Sequence, residues 1–281
     1  MAVMLFSALG CGPATQHDQA GQAAAKSVTV KGSDTMVHLV TAWAESYMKA
    51  RPDSEVSVTG GGSGTGIAAL LNKTTDICAA SREMSPAEKE QGAQKGIMPR
   101  ETVVARDGIA VIVHPSNPIT ELTMEQLKKI YTGAYTNWSE VSGVSGEFIV
   151  LSRESSSGTY VFFQEHILKK EDYTQKARLM PATSSIIQSV KTDALAIGYV
   201  GLGYAVEAAG RVKVLKIKGD ANAPAIAPSE DTVRDGSYSI SRPLYFYTGA
   251  GVVPAADNFV QFCLSEAGQK IVREAGYVPV K

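Results

Sequence analysis

The sequence predicts an α/β protein of two lobes, each a mainly parallel sheet flanked by helices, joined by two crossover strands. Three observations carry this expectation. Short β-branched runs alternate with helical periods along the chain, the rhythm of βαβ units whose strands run parallel and are covered on both faces. Two extended runs, residues 102–114 and 238–247, bracket the middle of the chain, and the first is too long for an ordinary strand. Ser/Gly/Thr-rich stretches also stand where three well-separated helices should begin, and helix starts at the carboxyl edge of such sheets are where ligands bind.

Residues 28–31 form the first expected strand, and Met36, Val37, Leu39, Val40, Trp43 and Tyr47 line one face of the helix after it. Arg51-Pro52-Asp53 stops that helix. Residues 55–59 make the second strand, and Ile67, Leu70 and Leu71 begin the second helix. Residues 76–80 make the third, followed by a helix start at Ser85 with Pro86 in its first turn. Residues 102–114 are interrupted by Arg106-Asp107-Gly108, a polar break that suits a crossing between lobes. A helix at 124–131, a strand at 148–152, a helix at 160–169 and strands at 196–200 and 212–217 build the second lobe. The run 238–247 returns the chain, and a final helix at 258–274 closes it. The expected lobes are therefore 27–110 plus 240–281, and 111–239.

With 281 residues, 44% of them hydrophobic and 20% charged, the chain has material for two cores and is not disordered. A net charge of −1 leaves no field for nucleic acid or an anionic membrane, so any anion affinity must be local. Residues 1–9 are apolar and end at Gly10-Cys11, resembling the end of a bacterial lipoprotein signal (residues 1–11), with export and a lipid on Cys11 as the expectation. Residues 12–26 carry no apolar period and are expected to be a flexible tether. Cys78 and Cys263 match no disulfide or metal framework and are expected to be buried free thiols. His17, His38, His114 and His166 lack metal-ligand spacing, so no metal and no cofactor are expected.

The helix-start stretches are Gly32-Ser33-Asp34-Thr35, the glycine-rich turn of residues 60–66 (GGGSGTG) and residues 153–159 (RESSSGT). Helix N-termini present unpaired N–H groups and about half a positive charge, so three of them converging would cage an oxyanion. Ser33 and Thr35 are each also good caps. In the second stretch glycine permits close backbone approach, with Ser63 and Thr65 adding hydroxyls; no Lys-Ser/Thr pair follows, so it is not a nucleotide loop. Ser81-Arg82 closes the third strand at the ligand-binding edge. Arg153 offers planar, bidentate donation, and Ser157, Gly158 and Thr159 open the helix beside it. Asp107 is the odd member: a carboxylate tolerates an anion only if the anion brings a proton, as phosphate does at neutral pH and sulfate does not. Without a partnered base, Ser63 is a donor rather than a nucleophile, so no enzyme activity is expected.

Taken in order with Ala79-Ala80-Ser81-Arg82, residues 136–140 (TNWSE) and residues 196–200 (AIGYV), these elements resemble the PstS-type phosphate-binding proteins of bacterial high-affinity phosphate ABC transporters. The resemblance covers nearly everything after the tether. It implies a periplasmic-binding-protein fold with inorganic phosphate held in the cleft, delivery to a membrane permease, a monomer, and an extracytoplasmic location in the periplasm or on the outer face of the cell membrane. Carried over by position, Thr35 and the Met36 N–H correspond to one contact, Ser63 to a second, and Arg153, Ser157, Gly158 and Thr159 to a third. Some members place a proton-accepting aspartate where this chain has Arg82, which leaves Asp107 as the implied acceptor. The alternatives are a receptor of this fold for sulfate or molybdate, and a secreted phosphate-ester hydrolase using Ser63.

Overall fold

The computed structural model describes residues 26–143, 145–249 and 253–280. The expected signal end, the lipid site at Cys11 and the tether up to residue 25 lie outside the described residues; Lys26 already opens the first strand.

Three βα units come first: β1 (Lys26–Gly32) and α1 (Val37–Ala50), β2 (Ser54–Thr59) and α2 (Ser63–Leu71), β3 (Ile77–Ala80) and α3 (Pro86–Gln94). Ser85 caps α3 by accepting from the Glu88 N–H, with Pro86 in the first turn. The long run becomes β4 (Arg100–Val113). The middle of the chain, expected to form the second lobe, contains β5 (Glu121–Thr123), α4 (Met124–Thr132), β6 (Ile149–Arg153), α5 (Gly158–His166), β7 (Arg178–Met180), α6 (Thr183–Thr192), β8 (Ala196–Gly201) and α7 (Leu202–Glu207). It ends with β9 (Lys213–Val214), β10 (Lys216–Lys218) and α8 (Glu230–Arg234). The return strand is β11 (Ser241–Thr248), followed by α9 (Pro254–Leu264) and α10 (Glu266–Glu274).

The strands form one path, β2-β1-β3-β11-β4-β8-β6-β7, with β9 beside β4. Its two ends are parallel, as the βαβ rhythm requires: β1 pairs with β2 and β3, and β6 with β7 and β8. The centre is antiparallel. β4 pairs with β11 from Arg100 to Gly108 and with β8 from Ile109 to Val113, so this one strand belongs to both lobes. On one side, Val28, Leu39, Trp43, Phe246 and Phe259 lead one buried cluster, and Ile67, Leu70 and Tyr247 another. On the other, Leu127, Trp138, Phe163 and Tyr199 lead a third, with Ile186, Val190 and Val200 in a fourth. The C-terminus returns to the junction, where Arg106 and Val278 exchange backbone hydrogen bonds.

Some element edges differ from the sequence expectation. The run 212–217 breaks at Leu215, whose N–H donates to Val111 O, and β10 instead pairs with β5 in a separate small sheet. The last helix is two, because the Ser265 hydroxyl caps α10 by accepting from the Gly268 N–H. α5 ends at His166, before Lys169 and Lys170 turn the chain with positive φ. Cys78 and Cys263 are buried free thiols.

Candidate functional site

Each candidate side chain is placed by the end of a strand. After β1 the chain turns through Ser33 into a short 3-10 turn, burying Ser33 and Thr35. The Ser33 hydroxyl donates to Ser81 Oγ at 2.9 Å, just past the end of β3. The Ser81 N–H donates to Ser63 Oγ at 3.0 Å, and the two side-chain oxygens lie 3.3 Å apart. Ser63 is the first residue of α2, preceded by Gly62 with φ of +99°. A Cβ on Gly62 would lie 2.6 Å from Ser156 O of the other lobe, so this turn needs glycine for both conformation and space.

From the second lobe, β6 leads into the start of α5. Ser157 caps that helix by accepting from the Thr159 and Tyr160 N–H groups. Thr159 Oγ1 lies 2.8 Å from Thr35 Oγ1, a hydroxyl pair across the lobes. Gly158 packs against the serines of the first lobe; a Cβ there would collide with Ser63 Oγ and lie 2.8 Å from Ser81 Oγ. The structure thus brings together Ser33, Thr35, Ser63, Ser81, Ser157, Gly158 and Thr159, all buried. Met36 is at the same turn, with its side chain in the core and its N–H donating back to Ser33 O at 3.0 Å. Hydroxyls gathered beside the N-termini of α2 and α5 can hold a tetrahedral oxyanion, because hydroxyls can turn to donate to it and helix starts favour negative charge.

Asp107 is fully buried beside this cluster. It sits on β4 directly opposite Arg242 on β11. Its Oδ2 accepts from Arg242 Nη2 at 3.1 Å, and its Oδ1 from the Leu202 N–H at 2.9 Å, at the start of α7. Burial pushes the Asp107 carboxyl above the usual carboxylate range, against the pull of Arg242 and the Leu202 N–H. Raised proton affinity suits a proton acceptor. Arg242 also donates from Nη2 to Thr159 Oγ1 at 2.9 Å and from Nη1 to Ser81 O at 2.8 Å. Its buried Nε has no partner among the described residues.

Arg153 stands apart from the hydroxyl cluster. Its Nε donates to Met180 O at 3.1 Å, its Nη2 to Pro181 O at 2.9 Å, and its Nη1 to Thr183 Oγ1 at 2.8 Å and Asp34 Oδ2 at 3.1 Å. The same Asp34 oxygen accepts from the Thr183 N–H and hydroxyl, both at 2.8 Å. This cluster fastens the first-lobe turn to the second lobe. Arg82 is also outside the hydroxyl cluster, held by both oxygens of Glu88 at 2.8 and 2.7 Å. Beside it a cavity of about 370 Å³ opens, lined by residues including Arg82, Phe162, Glu165, His166, Arg242 and Tyr245.

Sequence reasoning missed Arg242, Asp34 and Thr183. For Arg242 a signal existed: a lone cation inside the run of residues 238–247, next to Pro243. Among the described residues no group of His, Cys, Asp and Glu could hold a metal, and no helix is long and apolar enough to cross a membrane.

Comparison with known proteins bears on this geometry. The profile of the PBP superfamily domain matches residues 17–267. The phosphate-binding protein PstS of Pseudomonas aeruginosa is 31% identical over 307 aligned residues, covering 100% of this chain and 94% of that protein. The PstS protein of Staphylococcus haemolyticus is 35% identical over 254, covering 88% of this chain and 79% of the other. Among solved structures, a candidate phosphate ABC transporter substrate-binding protein from Clostridium perfringens, with bound phosphate, superposes with a TM-score of 0.83 at 32% identity. That match covers 91% of this chain and 100% of the other.

Proposed function

The chain belongs to the PBP superfamily and, within it, to the PstS-type phosphate-binding proteins, and from that premise we propose that it captures inorganic phosphate between its lobes and delivers it to the permease of an ABC transporter. It acts as a binding protein and not as an enzyme, outside the cytoplasm, as a monomer held at the membrane by a lipid on Cys11. The observation that carries this reading is the meeting of Ser33, Thr35, Ser63 and Ser81 from one lobe with Gly158 and Thr159 from the other, around two helix N-termini. Such a site offers donors from both lobes only when they are together, so the ligand stabilises the closed form. The shared strand β4 and its neighbour β11 supply the hinge, with lobes of 27–110 plus 240–281 and 111–239.

Asp107 gives the reading its choice of anion. A buried carboxylate with raised proton affinity accepts the proton of hydrogen phosphate, whereas sulfate meets it with no proton between the oxygens. Titration calorimetry of the purified protein with phosphate, sulfate and molybdate tests the proposal. Tight binding of phosphate alone is the expected result. Tight binding of sulfate or molybdate, or turnover of a chromogenic phosphate ester, would replace it.

A further inference from the structure

We propose that Arg242, from the second crossing strand, is the guanidinium that contacts the bound anion, and that Arg153 is instead the clasp that holds the lobes together. The inference rests on the phosphate-binding reading and deepens it, because it assigns the charge of the site to a residue outside the helix-start motifs. Four of the hydrogen-bonding directions of Arg153 already end on protein oxygens, and its charge faces Asp34. One Nη2 hydrogen remains, so a ligand could take a single bond from Arg153, and a bidentate grip would require displacing a carboxylate that also holds Thr183 through two further bonds. Arg242 has the opposite situation. It touches three members of the oxyanion cluster, Ser81, Asp107 and Thr159, and is almost completely buried. Its Nε–H is buried without an acceptor, as is that of Arg82, but only in Arg242 does the unpaired donor belong to a side chain already bonded to the hydroxyl cluster, where an arriving oxyanion can relieve the loss.

The pairing with Asp107 fits this role. Arg242 and Asp107 lie at facing register positions on β11 and β4, so the strands fix their separation whatever the lobes do. Together they present the ligand with a cation for its charged oxygens and a carboxylate for its proton. The cavity next to the cluster is a poorer place for the anion, since Glu83 and Glu165 line it as well as Arg82 and Arg242.

The test compares phosphate titrations of the full-length parent with Arg242→Gln, Arg242→Lys and Arg153→Gln. Because Arg242→Gln leaves a buried carboxylate alone, the double variant Arg242→Gln/Asp107→Asn is measured too, with thermal melts showing that each variant is folded. Arg242→Gln and the double variant are expected to lose about 100-fold or more in phosphate affinity, Arg242→Lys to recover part of it, and Arg153→Gln to lose clearly less. Removing the binding cation alone should also weaken the preference for doubly charged phosphate, so the affinity of Arg242→Gln should change less between pH 5.5 and 8 than the parent's, by about tenfold less. A folded double variant binding phosphate within about threefold of the parent overturns the proposal, as does a larger loss in Arg153→Gln than in Arg242→Gln. A parent that binds no phosphate would overturn the functional reading itself, which the parent titration reveals before any variant is compared.

Discussion

Two guanidinium–carboxylate pairs lie at the meeting of the lobes, a partly buried one of Arg153 with Asp34 and a fully buried one of Arg242 with Asp107, each with an N···O separation of 3.1 Å. By distance they are the same interaction. They differ in what surrounds them. Arg153 and Asp34 come from different lobes, and their polar atoms are nearly saturated by Thr183, Met180 and Pro181. Arg242 and Asp107 come from neighbouring strands of the junction, and the pair leaves a buried donor free beside a cluster of hydroxyls. A nearly saturated pair between lobes serves mainly to join them. An unsaturated pair within the junction that already bonds the hydroxyl cluster can still take a ligand, so an unused donor beside that cluster, not the contact distance, separates a fastening from a binding group.

The largest test of this contrast is Asp34→Ala. Removing one partner of a fully buried pair costs about 3–5 kcal/mol because the remaining charge stays out of water, and the partial exposure of Asp34 puts this pair below that range. Here the lobes can separate and let Arg153 rehydrate, so the cost should appear as opening rather than unfolding. Small-angle scattering of the ligand-free variant is expected to give a larger radius of gyration than the parent. An unchanged radius together with a collapse in thermal stability would show that the clasp holds the fold and not the lobes.

Gly158→Ala probes the other side of the contrast. Alanine is normally the better residue in a helix, yet the added carbon would collide with Ser63 Oγ at the start of α5. Overpacking of this kind costs about 1–3 kcal/mol, hence ~5–150-fold in phosphate affinity, with the isolated lobes little affected. Phosphate binding as tight as the parent's would mean that these two surfaces are not in contact in the liganded form.

Asp107→Asn sharpens the assignment within the binding pair. The amide keeps the volume, removes the charge facing the ligand and adds a donor. Sulfate is expected to gain about tenfold in affinity, ~1.4 kcal/mol, while phosphate holds or weakens slightly. Competition titrations of the two anions measure both at once. If sulfate remains excluded as strongly as in the parent, Asp107 only pairs with Arg242 and some other group reads the proton.

Much of this arrangement was legible in the sequence, for a physical reason. The βαβ rhythm and the overlong run at 102–114 are local patterns, and they located the parallel ends and the crossing strand. The serines and threonines that converge were visible because helix starts after strands must face the same sheet edge. What could not be read was which charge meets which. Asp34 finds Thr183 across 149 positions and Asp107 finds Arg242 across 135, and neither partner lies in a motif. Arg153 was legible as a cation near a helix start, but its partners lie after β7, in a segment without a distinctive pattern. Register across β4 and β11, which only the fold supplies, placed Arg242 against the site.

A third pair, Arg82 with Glu88, gives the smallest effect and a check on the whole distinction. It is bidentate like a binding fork and, like Arg242, keeps a buried Nε without an acceptor, but its Nη groups end on Glu88 and Glu83 rather than on the hydroxyl cluster, and the side chains retain 14% and 22% exposure. Burial pushes the Glu88 carboxyl up, but Arg82 and the Ser85 N–H outweigh it and hold the carboxyl below the usual glutamate range. A carboxyl with a depressed folded value binds fewer protons in the folded state, so it adds stability above the ordinary glutamate range and loses it as pH falls through the folded value. Glu88→Gln should therefore be less stable than the parent at pH 7, by under about 1 kcal/mol for so open a pair. That gap should close as the medium is acidified below the ordinary carboxylate range, which melts across pH 3–7 would follow. Phosphate affinity at pH 7 should stay within about threefold of the parent, because the pair fastens the start of α3 and lies outside the hydroxyl cluster. A loss beyond about tenfold would bring Arg82 into the ligand's reach and show that bonding to the hydroxyl cluster does not decide which arginine binds.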